Sequence, residues 1–275
     1  MIKRILVALS GTPFTSSAVE HAVELARLHD ASVTGVTMFD VHRLEHVGPV
    51  PLGGGAAAHE LTEHRIQEVR QHIEEEIAEF EKSCRDASVS CAVNRERGDM
   101  LHQLTSLWRY HDLTIFGLRG LFEYGVLQNP DDVIIRLIAL GVRPIIAVGE
   151  SYRRIHRAMI GYNGSMESAK VMKEFVQMRL WSDMLLKIVY VGKNKAEAQQ
   201  LLGDASAYCR AHGYETETEH VKSHGRGALL EAAQAWSADM LVMGSTSRGK
   251  IAKLILGDTA EHTMRQAEIP LFLSQ

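Results

Sequence analysis

The sequence predicts an α/β protein built from two similar, doubly wound parallel-sheet domains in tandem. Three observations carry this expectation. His111-Asp112-Leu113-Thr114-Ile115-Phe116-Gly117 is answered by Ala238-Asp239-Met240-Leu241-Val242-Met243-Gly244, an offset of 127 residues that also relates Gly98 to Gly225. Such a sustained offset marks an internal repeat. Short aliphatic runs alternate with helical patterns through both halves, and the connections are long enough for the crossovers that parallel strands require. A chain of 275 residues accommodates two domains, since single domains run to about 100–200 residues. The polar, basic stretch from Glu150 to Arg154 separates them, giving domains at 1–150 and 151–275.

Ile5 to Leu9 is a continuous apolar run, as expected of a strand covered on both faces. Ser10-Gly11-Thr12-Pro13 is a turn, and Ala18, Ala22, Val23 and Ala26 then space out a helix ending near His29 and Asp30. Ser32 to Phe39 is a second strand. Residues 41–58 break the rhythm with Pro49, Pro51, Gly53-Gly54-Gly55 and Ala56-Ala57-Ala58, and read as a flexible loop. A long helix follows, with Ile66, Val69, Ile73, Ile77 and Phe80 on one face and Glu68, Glu74, Glu75, Glu76 and Glu79 on a solvated one. Val89 to Asn94, a helix at Leu101 to Leu107, and Leu113 to Phe116 complete four strands. A helix near Val133 to Leu140 and a fifth strand at Pro144 to Val148 close the half.

The second half repeats the order more compactly. Its strands fall at Ala158 to Tyr162, Leu185 to Val191, Glu215 to Val221, Met240 to Met243 and Pro270 to Leu273. Helices fall at Ala196 to His212 and Ala228 to Trp236. The two terminal strands are short and apolar and belong at sheet edges, a position that proteins cover or pair.

Composition narrows the function. A net charge of −4 argues against a nucleic-acid footprint, which needs a basic surface. The opening apolar run of five residues falls short of a signal sequence, and no segment reaches the ~18 apolar residues of a membrane span. A cytoplasmic location is expected. Cys84, Cys91 and Cys209 lack metal-type spacing and read as reduced thiols. His59-Glu60-Leu61-Thr62-Glu63-His64 imitates a zinc-protease sequence, but its histidines are five apart and diverge by about 140° on a helix. No metal site is expected. No Gly-x-Ser-x-Gly elbow or positioned base appears, so no catalytic residue is assigned.

In open α/β sheets, ligands bind beyond the carboxyl ends of the strands where the strand order reverses. Two loops in each half qualify, after the first strand and after the fourth. The first-strand loops read Ser10-Gly11-Thr12-x2-Thr15 and Asn163-Gly164-Ser165-x2-Ser168. After the fourth strand come Gly117-x2-Gly120 in one half, and Gly244-Ser245-Thr246-Ser247-Arg248-Gly249 followed by Gly257-Asp258-Thr259 in the other. Glycines there let backbone N–H groups approach phosphate, and a helix opening at Gly257 would add its positive end.

The paired repeats and these loops together resemble a tandem universal stress protein over nearly the whole chain. The resemblance implies Rossmann-like domains of the adenine nucleotide alpha hydrolase type, related by a pseudo-two-fold axis, with the last strand of each making a dimer-like junction. It also implies an adenine nucleotide, ATP or AMP, bound through G-x2-G-x9-G-[S/T] and an acidic residue ending the first strand. The chain departs from that pattern. Pro130 stands where the third glycine belongs in the first half, and Ser247 replaces the middle glycine in the second. Asp131 and Asp258 occupy the hydroxyl positions, where a carboxylate repels phosphate. Ser10 and Asn163 stand in place of the first-strand acid; an Asn can still hydrogen-bond a ribose or adenine edge.

The second half is therefore the expected nucleotide site, with Asn163, Gly164, Ser165, Gly244, Ser245, Arg248, Gly257 and Asp258 lining it. Ser10, Gly117, Arg119 and Gly120 form a weaker second site. Arg248 is read either as a phosphate partner or as ordinary solvated loop charge. Phe122 and Tyr124 in the Leu118–Gly125 loop either line a pocket or pack against the other half. The functional expectation is a stress-response regulatory protein binding nucleotide. The alternative is a protein-interaction module whose phosphate loops have eroded, and a weaker one is slow ATP hydrolysis. Protein partners are expected without being identifiable, and a homodimer is open.

Overall fold

The structure, a computed structural model, describes residues 1–9, 12–37, 55–95, 100–118, 144–223, 225–244, 246–247, 255–256 and 258–274. The first half contributes β1 (Arg4–Leu9), α1 (Phe14–His29), β2 (Ser32–Thr37), α2 (Gly55–Asp86), β3 (Cys91–Asn94), α3 (Met100–Trp108), β4 (Leu113–Gly117) and β5 (Ile145–Val148). The second contributes β6 (Arg157–Gly161), α4 (Met166–Met178), β7 (Leu185–Val191), α5 (Lys195–Ala211), β8 (Glu215–Val221), α6 (Ala228–Ala235) and β9 (Met240–Gly244). After these come β10 (Thr246–Ser247), β11 (Ile255–Leu256), α7 (Asp258–Gln266) and β12 (Leu271–Ser274).

All strands except β10 and β11 form one sheet in the order β3-β2-β1-β4-β5-β12-β9-β6-β7-β8. The two halves of that order mirror each other. Within each half the pairs are parallel; between them, β12 pairs antiparallel with β5 through Leu271–Ala147, Phe272–Ile146 and Leu273–Ile145. The two half-sheets are thus continuous, joined by their terminal strands at the dimer-like junction that the resemblance implies. The physical reason is the edge itself. Each of these strands is apolar on both faces, and mutual pairing satisfies the N–H and C=O groups that an open edge would leave unpaired. The outer edges are instead β3, only four residues long, and β8, which carries Glu215, Glu217 and Glu219. Shortness and charge are what keep an edge from recruiting further strands.

Side chains alternate across this sheet into two apolar layers. Ile5, Val7, Leu9, Leu113, Ile115, Ile146, Val148 and Phe272 face α1, α2, α4 and α5. Leu6, Ala8, Phe116, Ile145, Ala147, Leu271 and Leu273 face the layer holding Leu104 of α3 and Leu229, Leu230 and Ala233 of α6. Parallel strands covered on both faces are expected to be apolar throughout, as these are. Gly35 in β2 is a packing requirement, since a Cβ there would lie 2.9 Å from Leu9 Cδ1 and 3.0 Å from the Phe80 ring. Its absence lets Phe80 drop from α2 onto the sheet.

Two local differences from expectation have simple causes. The helix α2 starts at Gly55, so residues 55–58, assigned to the loop from sequence, are helical. Ala56, Ala57 and Ala58 are the best of helix formers, and the neighbouring glycines masked them in a compositional reading. The segment between Ser165 and Leu185, unassigned from sequence, forms α4. Its Val171, Met172, Phe175 and Val176 are buried, and Phe175 meets Phe272 of β12 edge-on at 5.0 Å. Residues 41–54 of the expected loop, and the expected helix at 133–140, lie outside the described residues.

The repeated acid of the sequence offset has a structural task. Asp112 Oδ2 accepts the N–H groups of Lys3 (2.7 Å) and Arg4 (2.9 Å). Asp239 Oδ2 accepts those of His156 (3.0 Å) and Arg157 (2.9 Å). Each carboxylate clamps the first residues of the neighbouring parallel strand and sets the register of β1 on β4 and of β6 on β9. Asp239→Ala and Asp112→Ala should each destabilise the fold by about 1–2 kcal/mol, the scale of two charge-assisted bonds in a partly exposed setting. Chemical denaturation checks this; unchanged midpoints would remove the clamp from the account.

On the α1 face the halves meet again. His29 Nε2–H donates to the Leu180 carbonyl (2.9 Å), and Trp181 Nε1–H donates to Glu24 Oε2 (3.4 Å). Close by, His21 is 1 % exposed, neither ring nitrogen has a hydrogen-bond partner, and its ring lies 4.7 Å from that of Tyr152. Burial pushes its pKa down from 6.5 to about 4. The unfolded chain then takes up a proton near pH 6.5 that the folded chain refuses until about pH 4. Stability is therefore full at neutral pH and falls as the pH drops through that window, by up to the order of 3 kcal/mol. His21→Leu should flatten the decline in denaturation midpoint between about pH 7 and about pH 4; an equally steep decline in the variant would assign it to other groups.

Candidate functional site

The strand order reverses between β6 and β9, so the carboxyl ends of these two strands frame the crevice where a doubly wound sheet holds its ligand. The chain leaves β6 at Gly161 and turns through Tyr162, Asn163, Gly164 and Ser165 into α4. Gly164 takes φ +77, and a Cβ on it would lie 2.8 Å from both methyls of Leu201. Only glycine fits this turn without strain, on backbone and packing grounds together. Asn163 Oδ1 accepts the Ser165 N–H (3.0 Å), locking the turn from within. Ser165 then caps α4: its Oγ accepts the Ser168 N–H (3.2 Å), while Ser168 Oγ–H donates to the Ser165 carbonyl (3.0 Å).

This bonding divides the labour among the expected site residues. Asn163 Oδ1 and Ser165 Oγ are committed to building the turn and the helix start. What Asn163 has left to offer is its amide N–H pair. Across the crevice β9 ends at Gly244. A Cβ placed there would sit 3.7 Å from the Glu167 carbonyl carbon and 3.8 Å from its Cβ and its O, in ordinary contact with the first turn of α4. The end of β9 therefore runs beside the first turn of α4 at the reversal of strand order. Ser245, Arg248 and Gly257 lie outside the described residues. Asp258 is the first described residue of α7, next to Gly257 where a helix start is expected. Between these points Thr246–Ser247 pairs antiparallel with Ile255–Leu256, a hairpin that sequence periodicity did not disclose in so short a segment.

At the carboxyl end of the neighbouring strand β7 lie further residues that the sequence reading passed over. Gly192 follows β7; its N–H donates to the Val221 carbonyl (3.0 Å) and its own carbonyl accepts His220 Nε2–H (2.7 Å). Tyr190 meets His220 edge-on at 5.8 Å and donates its hydroxyl to Glu197 Oε2 (3.4 Å). Burial, reinforced by the Glu197 carboxylate, raises the Tyr190 pKa. In sequence Tyr190 was one apolar position of a strand; its pairing with His220 exists only through the β7–β8 register.

The first half is built differently. Thr12 N–H donates to Thr15 Oγ1 (3.2 Å), Thr15 N–H returns to the Thr12 carbonyl (2.9 Å), and Pro13 precedes α1 without a side-chain cap. Gly117 ends β4 and is buried, with Leu118 N–H bonded to the Val148 carbonyl (2.7 Å). Ser10, Arg119, Gly120, Pro130 and Asp131 lie outside the described residues, as do Phe122 and Tyr124. Beside the Thr12 turn, α1 and α2 enclose a groove of about 390 Å³ lined by Glu20, Glu75, Glu76 and Glu79 as well as Thr15 and Phe80. Four carboxylates make its potential negative, which disfavours a phosphate on that side. Among the described residues no group of three or more His, Cys, Asp or Glu side chains is arranged to hold a metal ion. His64 instead pairs with Glu68 along its own helix at 3.3 Å.

A mirrored pair of Rossmann-like halves, each with its own strand-order reversal, defines a class of duplicated doubly wound α/β proteins, and comparison with known proteins places the chain within it. The family model of the universal stress proteins matches residues 1–101 and 176–274. The chain belongs to the universal stress protein family, as a tandem member carrying two copies of the unit. A universal stress protein of Synechocystis sp. is 25% identical over 286 residues, covering 98% of this chain and 99% of its own length. One from Mycolicibacterium smegmatis is 24% identical, with coverage of 98% and 96%. Among solved structures, a universal stress protein from Archaeoglobus fulgidus shares the fold with a TM-score of 0.71 at 15% identity, covering 99% of this chain and 96% of that one.

The two glycines of the crevice make opposite predictions. Gly164→Ala forces a side chain into a left-handed turn against Leu201 and should destabilise the protein by about 1–3 kcal/mol. Gly244→Ala meets only ordinary contacts and should shift the thermal midpoint by no more than about 2 °C. Thermal melts of the two variants check both; a large loss in Gly244→Ala would mean that its conformation, and not ligand access, requires glycine.

Proposed function

We propose that this protein is a stress-response regulatory protein that takes an adenine nucleotide, ATP or AMP, in the crevice of its second half. The observation that carries the reading is the close run of Gly244 beside the first turn of α4 at the strand-order reversal. A phosphate is drawn to such a place by the N-terminus of α4, and the missing Cβ of Gly244 leaves its backbone open to approach. Asn163, Gly164, Ser165 and Gly244 form its described wall, and Ser245, Arg248, Gly257 and Asp258 continue it in sequence. The acidic groove beside the first-half turn is the reason for preferring the second half. A cytoplasmic setting accompanies this reading; no helix among the described residues is long and apolar enough to cross a membrane.

A second reading rests on a specific observation as well. Asn163 Oδ1 and Ser165 Oγ are already engaged in the turn and the cap, as they would be in a protein-interaction module that keeps its loops for the fold alone. Nucleotide analysis of the denatured protein, with titration of ATP and AMP into the native protein by calorimetry, separates the two. The nucleotide reading expects heat of binding that falls at least ~10-fold in affinity in Gly244→Ala while the melting temperature holds. No co-purifying nucleotide and no heat at millimolar ligand would sink it and leave the interaction module.

A further inference from the structure

Cys84, Cys91 and Cys209 are scattered in sequence, but the fold brings two of them together. Cys84 lies in the last turn of α2 and Cys91 opens β3. Between them the chain reverses in a tight turn. Ala87 N–H donates to the Ser83 carbonyl (3.2 Å), Ser88 N–H to that of Arg85 (3.0 Å) and Val89 N–H to that of Cys84 (2.8 Å), with Ser88 at φ +57. The Cys91–Val33 register fixes the height of Cys91 on the sheet. Both cysteines then belong to the same apolar layer, Cys84 within it and Cys91 packed against it, close enough for the Cys91 thiol to act on that of Cys84. Cys84 is fully buried, whereas Cys91 is partly exposed on an edge strand that has a neighbour on one side only. Cys209 is buried in α5 of the other half.

We propose that Cys84 and Cys91 are a redox modification site, closing to a reversible disulfide when the protein meets a hydroperoxide. The order of events follows from exposure. The Cys91 thiol gives up its proton and its sulfur attacks the outer peroxide oxygen. The S–O bond forms, the O–O bond breaks, and the departing alkoxide or hydroxide takes a proton to leave as alcohol or water. Cys91 is then a sulfenic acid. Cys84 loses its proton as its sulfur attacks that of Cys91; the S–S bond forms, the S–O bond breaks, and hydroxide leaves as water. The two thiols are oxidised by two electrons and the peroxide is reduced by two.

The two thiols, packed in one layer, must close to an S–S bond of about 2.05 Å, and Ser88 and Ser90 in the intervening turn are exposed and able to give. Burial, with the neighbouring Cys91 adding to it, pushes the Cys84 thiol up to about 12. Cys84 is thus the resolving thiol, and closure quickens as the pH rises. The bond fastens the end of α2, whose Phe80 and Ser83 line the acidic groove, to the edge strand β3.

The test uses the full-length reduced protein and hydrogen peroxide as probe. After treatment and alkylation under denaturing conditions, the monomer should lose about 2 Da, carry alkyl on Cys209 alone and yield a Cys84–Cys91 linked peptide, all reversed by dithiothreitol. Cys209→Ala should behave likewise. Cys84→Ala should leave Cys91 as a sulfenic acid trapped by dimedone, and Cys91→Ala should abolish the mass loss even if Cys84→Ala fails to fold. Oxidation should raise the melting temperature of the wild type and not of Cys91→Ala. Three alkylated thiols after peroxide, a Cys91 sulfinic acid without the linked peptide, or cross-links through Cys209 or between chains would overturn the proposal.

Discussion

The antiparallel pairing of β5 with β12 is the constraint on which the rest of the structure depends. Three residue pairs convert two half-sheets with apolar margins into one sheet whose central strands are fully buried. Neither strand is long enough to justify itself locally. Each is stable because the other satisfies its backbone groups while the helices of both halves cover its faces. The hydrophobic effect supplies the drive, but hydrogen-bond satisfaction decides the geometry, since burying an unpaired strand edge would cost more than any single contact returns.

That pairing also fixes what the two halves can do together. Because β5 and β12 run in opposite directions, the strands of one half oppose those of the other, and their carboxyl ends lie toward opposite ends of the sheet. The crevice of the second half and the Thr12 turn of the first are therefore separate places with separate chemistry. One is lined by backbone and capped by Ser165; the other stands beside a wall of glutamates. Duplication followed by divergence is visible as a division between these ends, while the clamp of Asp112 and Asp239 on the first strands stayed the same in both.

Most of the architecture was legible in the sequence. Apolar runs such as Leu185 to Val191, and the fourth strands 127 residues apart, are strong because burial on both faces leaves little choice of residue. Helix α4 went unassigned although Val171, Met172, Phe175 and Val176 recur at helical spacing, and Ala56 to Ala58 were mistaken for loop because glycines precede them. The candidate site was legible as loops but not as contacts. The glycine at position 164 announced a turn. That Asn163 and Ser165 spend their oxygens on that turn could not be read, because an Asx turn and a helix cap use the same side chains as a ligand site.

What the sequence alone determined was the class: a tandem of universal stress units, the order of their elements, and the positions where a ligand loop belongs. Those properties depend on local periodicity and on spacing along the chain. The tertiary structure decided which distant groups meet: β5 with β12, Tyr190 with His220, His21 with Tyr152, and Cys84 with Cys91. Such meetings depend on register and on the direction of the returning chain, and these are settled only when both apolar layers close at once.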